Sequence, residues 1–234
     1  MKKLAVVTGA SKGIGRAIVE KFASENFEVA VCSRSETNLV ELKNALESKF
    51  NTKIHIFVAD VSQKSEIQNF GKFVIGLNLP IQVLVNNAGV FLPGKLMEEA
   101  ENTLETLINT NVYSAYYLSR LMVPEMKPHE TSHIFNICSI ASLMAYPQSG
   151  SYSISKFALL GFSKSLRQEL IDTNVKVTSV MPGATLTDSW AGVDLPEERF
   201  MKPEDVADIV WASYNLSKSA VVEEIVLRPI KGDI

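Results

Sequence analysis

The sequence is poor in cysteine: Cys32 and Cys138 are too few for a disulfide framework, and Cys138 reads as a small buried strand residue. The opening Met1-Lys2-Lys3 and the apolar Leu4 to Val7 imitate an export signal, but Thr8 and Gly9 cut the run short, so it reads as a buried strand. A reducing, cytoplasmic setting is expected. No apolar run approaches the roughly 18 residues that a membrane span needs. Charge of one sign is also scarce. With 23 Lys and Arg against 26 Asp and Glu, the net charge is −3, and no basic cluster stands out, so nucleic acid is not an expected partner. His55, His129 and His133 lack the spacing and acidic partners of a metal site, and no metal is expected.

Hydrophobic residues make up 46% of the 234 residues and charged residues 21%, the balance of a chain that folds around its own core. With no repeat, low-complexity tract or linker, residues 1–234 are expected to form a single domain. Short β-branched runs alternate with helical periodicity. Strands are expected at Leu4 to Thr8, Phe27 to Cys32, Lys53 to Ala59, Val83 to Asn86, His133 to Cys138, Lys176 to Met181 and Val221 to Leu227. Helices are expected to begin near Gly13, Glu36, Lys64, Met97, Ser151 and Pro203. The strands are continuously apolar rather than alternating, which implies burial on both faces. The pattern therefore predicts an α/β, doubly wound, seven-stranded parallel sheet flanked by helices on both faces. From Gly183 to Lys202 the pattern breaks down, and a surface loop with a short helix, serving as a lid, is expected there.

Directly after the first strand comes Thr8-Gly9-Ala10-Ser11-Lys12-Gly13-Ile14-Gly15, followed by a helix. Glycines supply the unusual φ angles of so tight a turn, and without Cβ atoms the backbone can approach a pyrophosphate at the positive end of the next helix. This context marks a Rossmann-type dinucleotide site built on Gly9, Ser11, Lys12, Gly13, Ile14 and Gly15. A carboxylate at the end of the second strand would suit a ribose 2′-hydroxyl; here Cys32-Ser33-Arg34 ends it, and an Arg suits a 2′-phosphate. Lys12 is placed to add a second positive charge, so NADP(H) is expected over NAD(H). Asp60-Val61 after the third strand could hold an adenine edge, although Asp60 could equally cap the next helix. Asn86, Asn87, Ala88 and Gly89 close the fourth strand at the edge where open α/β sheets bind ligands.

Tyr152 and Lys156 lie one helical turn apart and face the same way, which lets the ammonium favour the ionised phenol. Such a tyrosine can exchange a proton with a carbonyl oxygen at neutral pH. Ser139, after the fifth strand, could hydrogen-bond the same oxygen. Val90 to Leu92, Ile140 to Tyr146 and Leu186 to Trp190 flank the expected pocket, and their apolar character suits a ketone or aldehyde with apolar substituents.

Taken in order, Thr8 to Gly15, Asn86 to Gly89, Tyr152 to Lys156, and Pro182-Gly183 followed by Thr187 resemble the short-chain dehydrogenase/reductase family over essentially the whole chain. The resemblance implies Tyr152 as general acid in reduction, Lys156 as the residue that tunes it and binds the nicotinamide ribose, and Ser139 as the residue that orients the carbonyl. It also implies Asn111 as a link in a proton relay ending at Lys156. Pro182, Gly183 and Thr187 join the cofactor residues on the same ground. A carbonyl reductase or alcohol dehydrogenase is expected, and a 3-oxoacyl-acyl-carrier-protein reductase is the alternative; Val226-Leu227-Arg228-Pro229 stands where a glycine-rich stretch is usual in the latter. A nucleotide-sensing regulator without turnover is the more remote reading. By analogy the chain is expected to form a dimer or tetramer through the helices that contain Asn111 and Tyr152.

Overall fold

The computed structural model describes residues 2–190 and 192–234, so Ala191 of the expected lid lies outside them. Seven strands form it: β1 (Leu4–Thr8), β2 (Glu28–Ser33), β3 (Ile54–Val58), β4 (Ile81–Asn86), β5 (Ser132–Ile137), β6 (Val175–Pro182) and β7 (Glu224–Leu227). They build one sheet in the order β3-β2-β1-β4-β5-β6-β7, and every pairing is parallel. The chain starts in the middle, winds outward to β3, then returns to β4 and winds the other way. That reversal between β1 and β4 opens a crevice at the carboxyl ends of the strands.

Among the described residues seven α-helices flank the sheet: α1 (Gly13–Ser24), α2 (Glu36–Lys49), α3 (Lys64–Gly76), α4 (Thr103–Ile108), α5 (Ser114–Met126), α6 (Gly150–Glu169) and α7 (Pro203–Tyr214). The unbroken apolar run of β1 is explained by its two neighbours. Ala5 and Val7 enter a core shared with α1, α2 and α7, whereas Leu4 and Val6 enter a second core shared with α3 and α5. Burying one such Leu or Val contributes about 1.5–3 kcal/mol, so a polar residue on either face would be costly. Phe22, Phe27 and Trp211 meet edge to face at 5.2–6.1 Å and lock α1 and α7 against β2.

On the α5/α6 side the sheet carries a buried polar chain. Asn86 donates to Ser119 and to Asn136, Asn136 donates to Ser163, and Ser179 donates to Ser163, at 2.8–3.0 Å. Nearer the amino ends, His133 is fully buried and stacks on Phe135. Thr178 gives its proton to the carbonyl of Val222, so its oxygen accepts from His133 Nε2 at 2.6 Å. Nδ1 is left without a partner among the described residues, and burial holds the imidazole neutral, pushing its pKa down to about 3.

Two elements differ from expectation. Leu96 to Glu99 is not helical, and α4 begins at Thr103, because Gly94 pairs with Ser149 and the Glu99 carboxylate turns to the start of α6. Strand β7 is shorter than expected: its ladder with β6 opens with the Ser179 N–H on the Glu223 carbonyl, while the Val222 carbonyl accepts the Thr178 side-chain hydroxyl instead of a backbone N–H. The Gly183 to Lys202 stretch carries two single 3₁₀ turns, Asp188–Trp190 and Glu197–Arg199. Its two ends are joined by backbone bonds from Met201 to Ala184 and from Leu186 to Met201.

Candidate active site

A cleft of about 1050 Å³ runs along the carboxyl edge of the sheet. Gly9, Ser11, Lys12, Gly13, Ile14, Gly15, Arg34, Asp60, Val61, Asn87, Ala88, Gly89, Pro182, Gly183 and Thr187 line it, as do Ser139, Tyr152 and Lys156. Asn111 stands one layer behind the wall.

The glycine turn is shaped by three different constraints. Gly9 and Gly13 have φ of +64° and +56°, which side chains disfavour. Gly15 is needed for space, since a Cβ there would lie 2.4 Å from both the Gly9 carbonyl and Asn87 Nδ2. The turn is also fastened to the end of β4. Thr8 Oγ1 accepts the backbone N–H groups of Asn87 and Ala88 at 3.1 and 3.0 Å, and Asn87 Nδ2 donates to the carbonyls of Thr8 and Gly9 at 2.9 and 3.0 Å. Thr8 thus has a structural part that the motif alone did not reveal; a hydroxyl ending an otherwise apolar strand is its signal. The cradle at the N-terminus of the twelve-residue α1 fits a pyrophosphate.

Around the end of β2, Ser33, Arg34, Ser35 and Asn38 line the same cleft. Arg34 is exposed and makes no ion pair among the described residues. Lys12 donates instead to Asp188, tying the glycine turn to the loop after β6, where Thr187 also packs against Gly13. Both side chains of that ion pair are exposed, so it contributes little, and a phosphate could compete for the ammonium. Asp60 lines the cleft but does not cap α3, whose N-cap is Gln63 without a side-chain bond; its Oδ1 closes a local turn, accepting from Ser62 N and Ser62 Oγ at 3.0 and 2.8 Å.

Helix α6 carries Tyr152 and Lys156. Lys156 is only 5% exposed; its ammonium donates to the Ile137 carbonyl at 2.9 Å and lies 5.8 Å from the centre of the Tyr152 ring. Two N–H bonds of that ammonium remain for a ligand. Ser139 sits where β5 gives way to a 3₁₀ turn, and its Oγ accepts from Ala141 N at 3.1 Å, which leaves its own proton free to donate. Asn111 lies in a widened π turn, Asn109–Tyr113, between α4 and α5. It exchanges bonds of 2.8 and 3.1 Å with the Val90 backbone and donates to Ser155 at 3.0 Å, joining the segment after β4 to α6.

Around Tyr152 the wall combines apolar and aromatic side chains with the polar Thr106, Thr110, Ser149 and Thr185. Phe91 meets the Tyr152 ring edge on at 4.8 Å, and Tyr146, Ile140 and Trp190 complete it. Cys138 also lines the cleft, but burial pushes its thiol up to about 11, so it offers no thiolate nucleophile. Among the described residues no group of three or more His, Cys, Asp or Glu could hold a metal ion, and no helix is long and apolar enough to cross a membrane.

The sequence family described as short chain dehydrogenase matches residues 3–198. Sepiapterin reductase of Chlorobaculum tepidum is 34% identical over 241 residues, covering 100% of this chain and 99% of that protein. An uncharacterized oxidoreductase of Staphylococcus epidermidis is 31% identical over 229 residues, 98% of each chain. Among solved structures, an alcohol dehydrogenase from the archaeon Thermococcus sibiricus, complexed with 5-hydroxy-NADP, is similar with a TM-score of 0.92 at 26% identity, covering 98% of this chain and 97% of that one. L-sorbose reductase from Gluconobacter frateurii, complexed with NADPH and L-sorbose, gives a TM-score of 0.89 at 28% identity, with 97% and 95% covered.

Proposed function

The chain belongs to the short-chain dehydrogenase family, and from that premise we propose that it is an NADP(H)-dependent carbonyl reductase or alcohol dehydrogenase. The substrate is a ketone or aldehyde with apolar substituents. The observation that carries this reading is that Ser139, Tyr152 and Lys156 line the same cleft as the glycine turn. The cradle at Gly15 fits the pyrophosphate, and Arg34, which follows directly on β2 where a 2′-hydroxyl site would carry an acid, suits the 2′-phosphate. That solved relatives are complexed with NADP or NADPH supports the same cofactor here.

When bound, the nicotinamide supplies or accepts the hydride. Ser139 directs its free O–H to the carbonyl oxygen and holds it beside the tyrosine. Tyr152 gives that oxygen a proton during reduction and takes one from the alcohol during oxidation. Lys156, anchored by the Ile137 carbonyl, stabilises negative charge on the phenol oxygen and offers its remaining N–H groups to the ribose. Asn111 holds the Val90 segment and α6 in register. Asp60 and Val61 flank the adenine, and Pro182, Gly183 and Thr187 flank the nicotinamide side. Tyr113 and Tyr116 on one side, Ile154 and Phe157 on α6, leave apolar surface exposed, which supports pairing with another copy into a dimer or tetramer. A cytoplasmic setting is part of the same reading.

The test is NADPH oxidation over apolar aldehydes, ketones, diketones, sepiapterin and a 3-oxoacyl thioester, repeated with NADH. Turnover of an apolar carbonyl compound with NADPH, and weaker turnover with NADH, is expected. Turnover confined to the thioester would favour the alternative reductase, and cofactor binding without any turnover would favour a sensor.

A further inference from the structure

We propose that Glu99 is a positioning residue for Tyr152, acting through the first turn of α6; the inference rests on Tyr152 being the proton donor. Ser149, the residue that precedes α6, makes no side-chain cap on it. Its hydroxyl is engaged instead by Tyr146 and Ser153. The cap comes from 52 residues away: Glu99 Oε1 accepts the Ser151 backbone N–H at 3.0 Å, and Ser151 Oγ donates to Glu99 Oε2. Glu99 has no cationic partner among the described residues, so its charge faces the positive end of the helix.

The fit is close. Gly94 N donates to the Gln148 carbonyl at 2.9 Å and Gly150 N to the Gly94 carbonyl at 3.1 Å, laying the strap 94–99 along the entry to α6. A Cβ on Gly150 would lie 2.8 Å from Glu99 Oε1 and from Leu96 N, and one on Gly94 would lie 2.6 Å from Glu99 Cγ. Just upstream of the strap, Phe91 packs against the Tyr152 ring. Among the described residues the Tyr152 hydroxyl makes no hydrogen bond, so its direction is set by ring packing and by the helix beneath it. The residue before Tyr152 is the one Glu99 holds by both backbone and side chain. Misplacement of a reacting group by about 1 Å can cost on the order of a hundredfold in rate.

The test compares Glu99→Ala, Glu99→Gln, Ser151→Ala and the Glu99→Ala/Ser151→Ala pair, using NADPH and the carbonyl compound that wild type reduces best. Glu99→Ala is expected to lower kcat about tenfold to a hundredfold, with KM and NADPH affinity within about twofold of wild type. Glu99→Gln, which can still accept from Ser151 N and donate to Ser151 Oγ, is expected to recover most of the rate. The pair is expected to be no worse than Glu99→Ala alone, because the contact that Ser151→Ala removes is already lost with Glu99. If Glu99→Ala proves insoluble, Ser151→Ala carries the test, with a severalfold fall in kcat and unchanged KM. Wild-type kcat in Glu99→Ala, multiplicative losses in the pair, or kcat and NADPH affinity falling together would overturn the inference. These results leave the proposed function standing if Tyr152→Phe is inactive; a fully active Tyr152→Phe would overturn both.

Discussion

The half of the cleft around the glycine turn is made mostly of backbone, whereas the half around Tyr152 is made of side chains brought from separate segments. In the first, Gly9 and Gly13 supply φ angles and Gly15 supplies space, and Thr8 and Asn87 fasten the result to β4. In the second, Phe91 follows β4, Ser139 and Tyr146 follow β5, Tyr152 and Lys156 ride on α6, and Trp190 follows β6. A backbone cradle tolerates only particular residue types, so it can serve one ligand shape for many proteins. A side-chain wall can be changed residue by residue, so under the proposed function it is the half that would choose the substrate.

Substitutions that act on one half and spare the other would sharpen this contrast. The largest loss of cofactor binding is expected from Gly15→Val, since even its Cβ would meet the Gly9 carbonyl at 2.4 Å. Overpacking of this kind costs about 1–3 kcal/mol, and NADPH affinity measured by fluorescence titration should fall on the order of a hundredfold. Affinity within about threefold of wild type would break the contrast. A smaller loss is expected from Arg34→Ala: NADPH binding should weaken about tenfold, the scale of one hydrogen bond to a charged group, while NADH binding is unchanged. Equal losses for both cofactors would remove Arg34 from the 2′-phosphate.

His133 lies below both halves, and its variant should leave NADPH affinity unaltered. Its effect is on stability. The folded imidazole stays neutral down to about pH 3, whereas the unfolded one takes up a proton below its ordinary value of 6.5. Between those limits the unfolded state binds more protons, so this contribution weakens the fold as pH falls, by about 1.4 kcal/mol per unit. Urea unfolding of His133→Val across pH 7 to about 4 should show a shallower loss than wild type by about that slope. Parallel pH profiles would contradict it.

How much of this was legible in the sequence follows the same division. The seven parallel strands and the glycine turn could be read locally, because buried strands need unbroken apolar runs and the turn needs glycine where it has it. The strap at 94–99 could not: the pattern predicts a helix beginning near Met97, and the partner of Glu99, Ser151, is 52 residues away. Nor could the polar face of α6. Ser151, Ser155 and Ser163 stand where apolar residues would be expected, and only the fold shows that Glu99, Asn111 and Asn136 receive them. Asn111 is reached only through the resemblance, and its π turn and its two-way bond to Val90 depend on packing that spacing does not encode.

In the proposed function Tyr152 performs the proton transfer while the backbone half binds the cofactor independently of it. NADPH affinity and single-turnover reduction, measured side by side on wild type and Tyr152→Phe, test it most directly. Unchanged affinity with a rate lowered on the order of 10²–10⁴-fold is the predicted result. Reduction by Tyr152→Phe at the wild-type rate would contradict it.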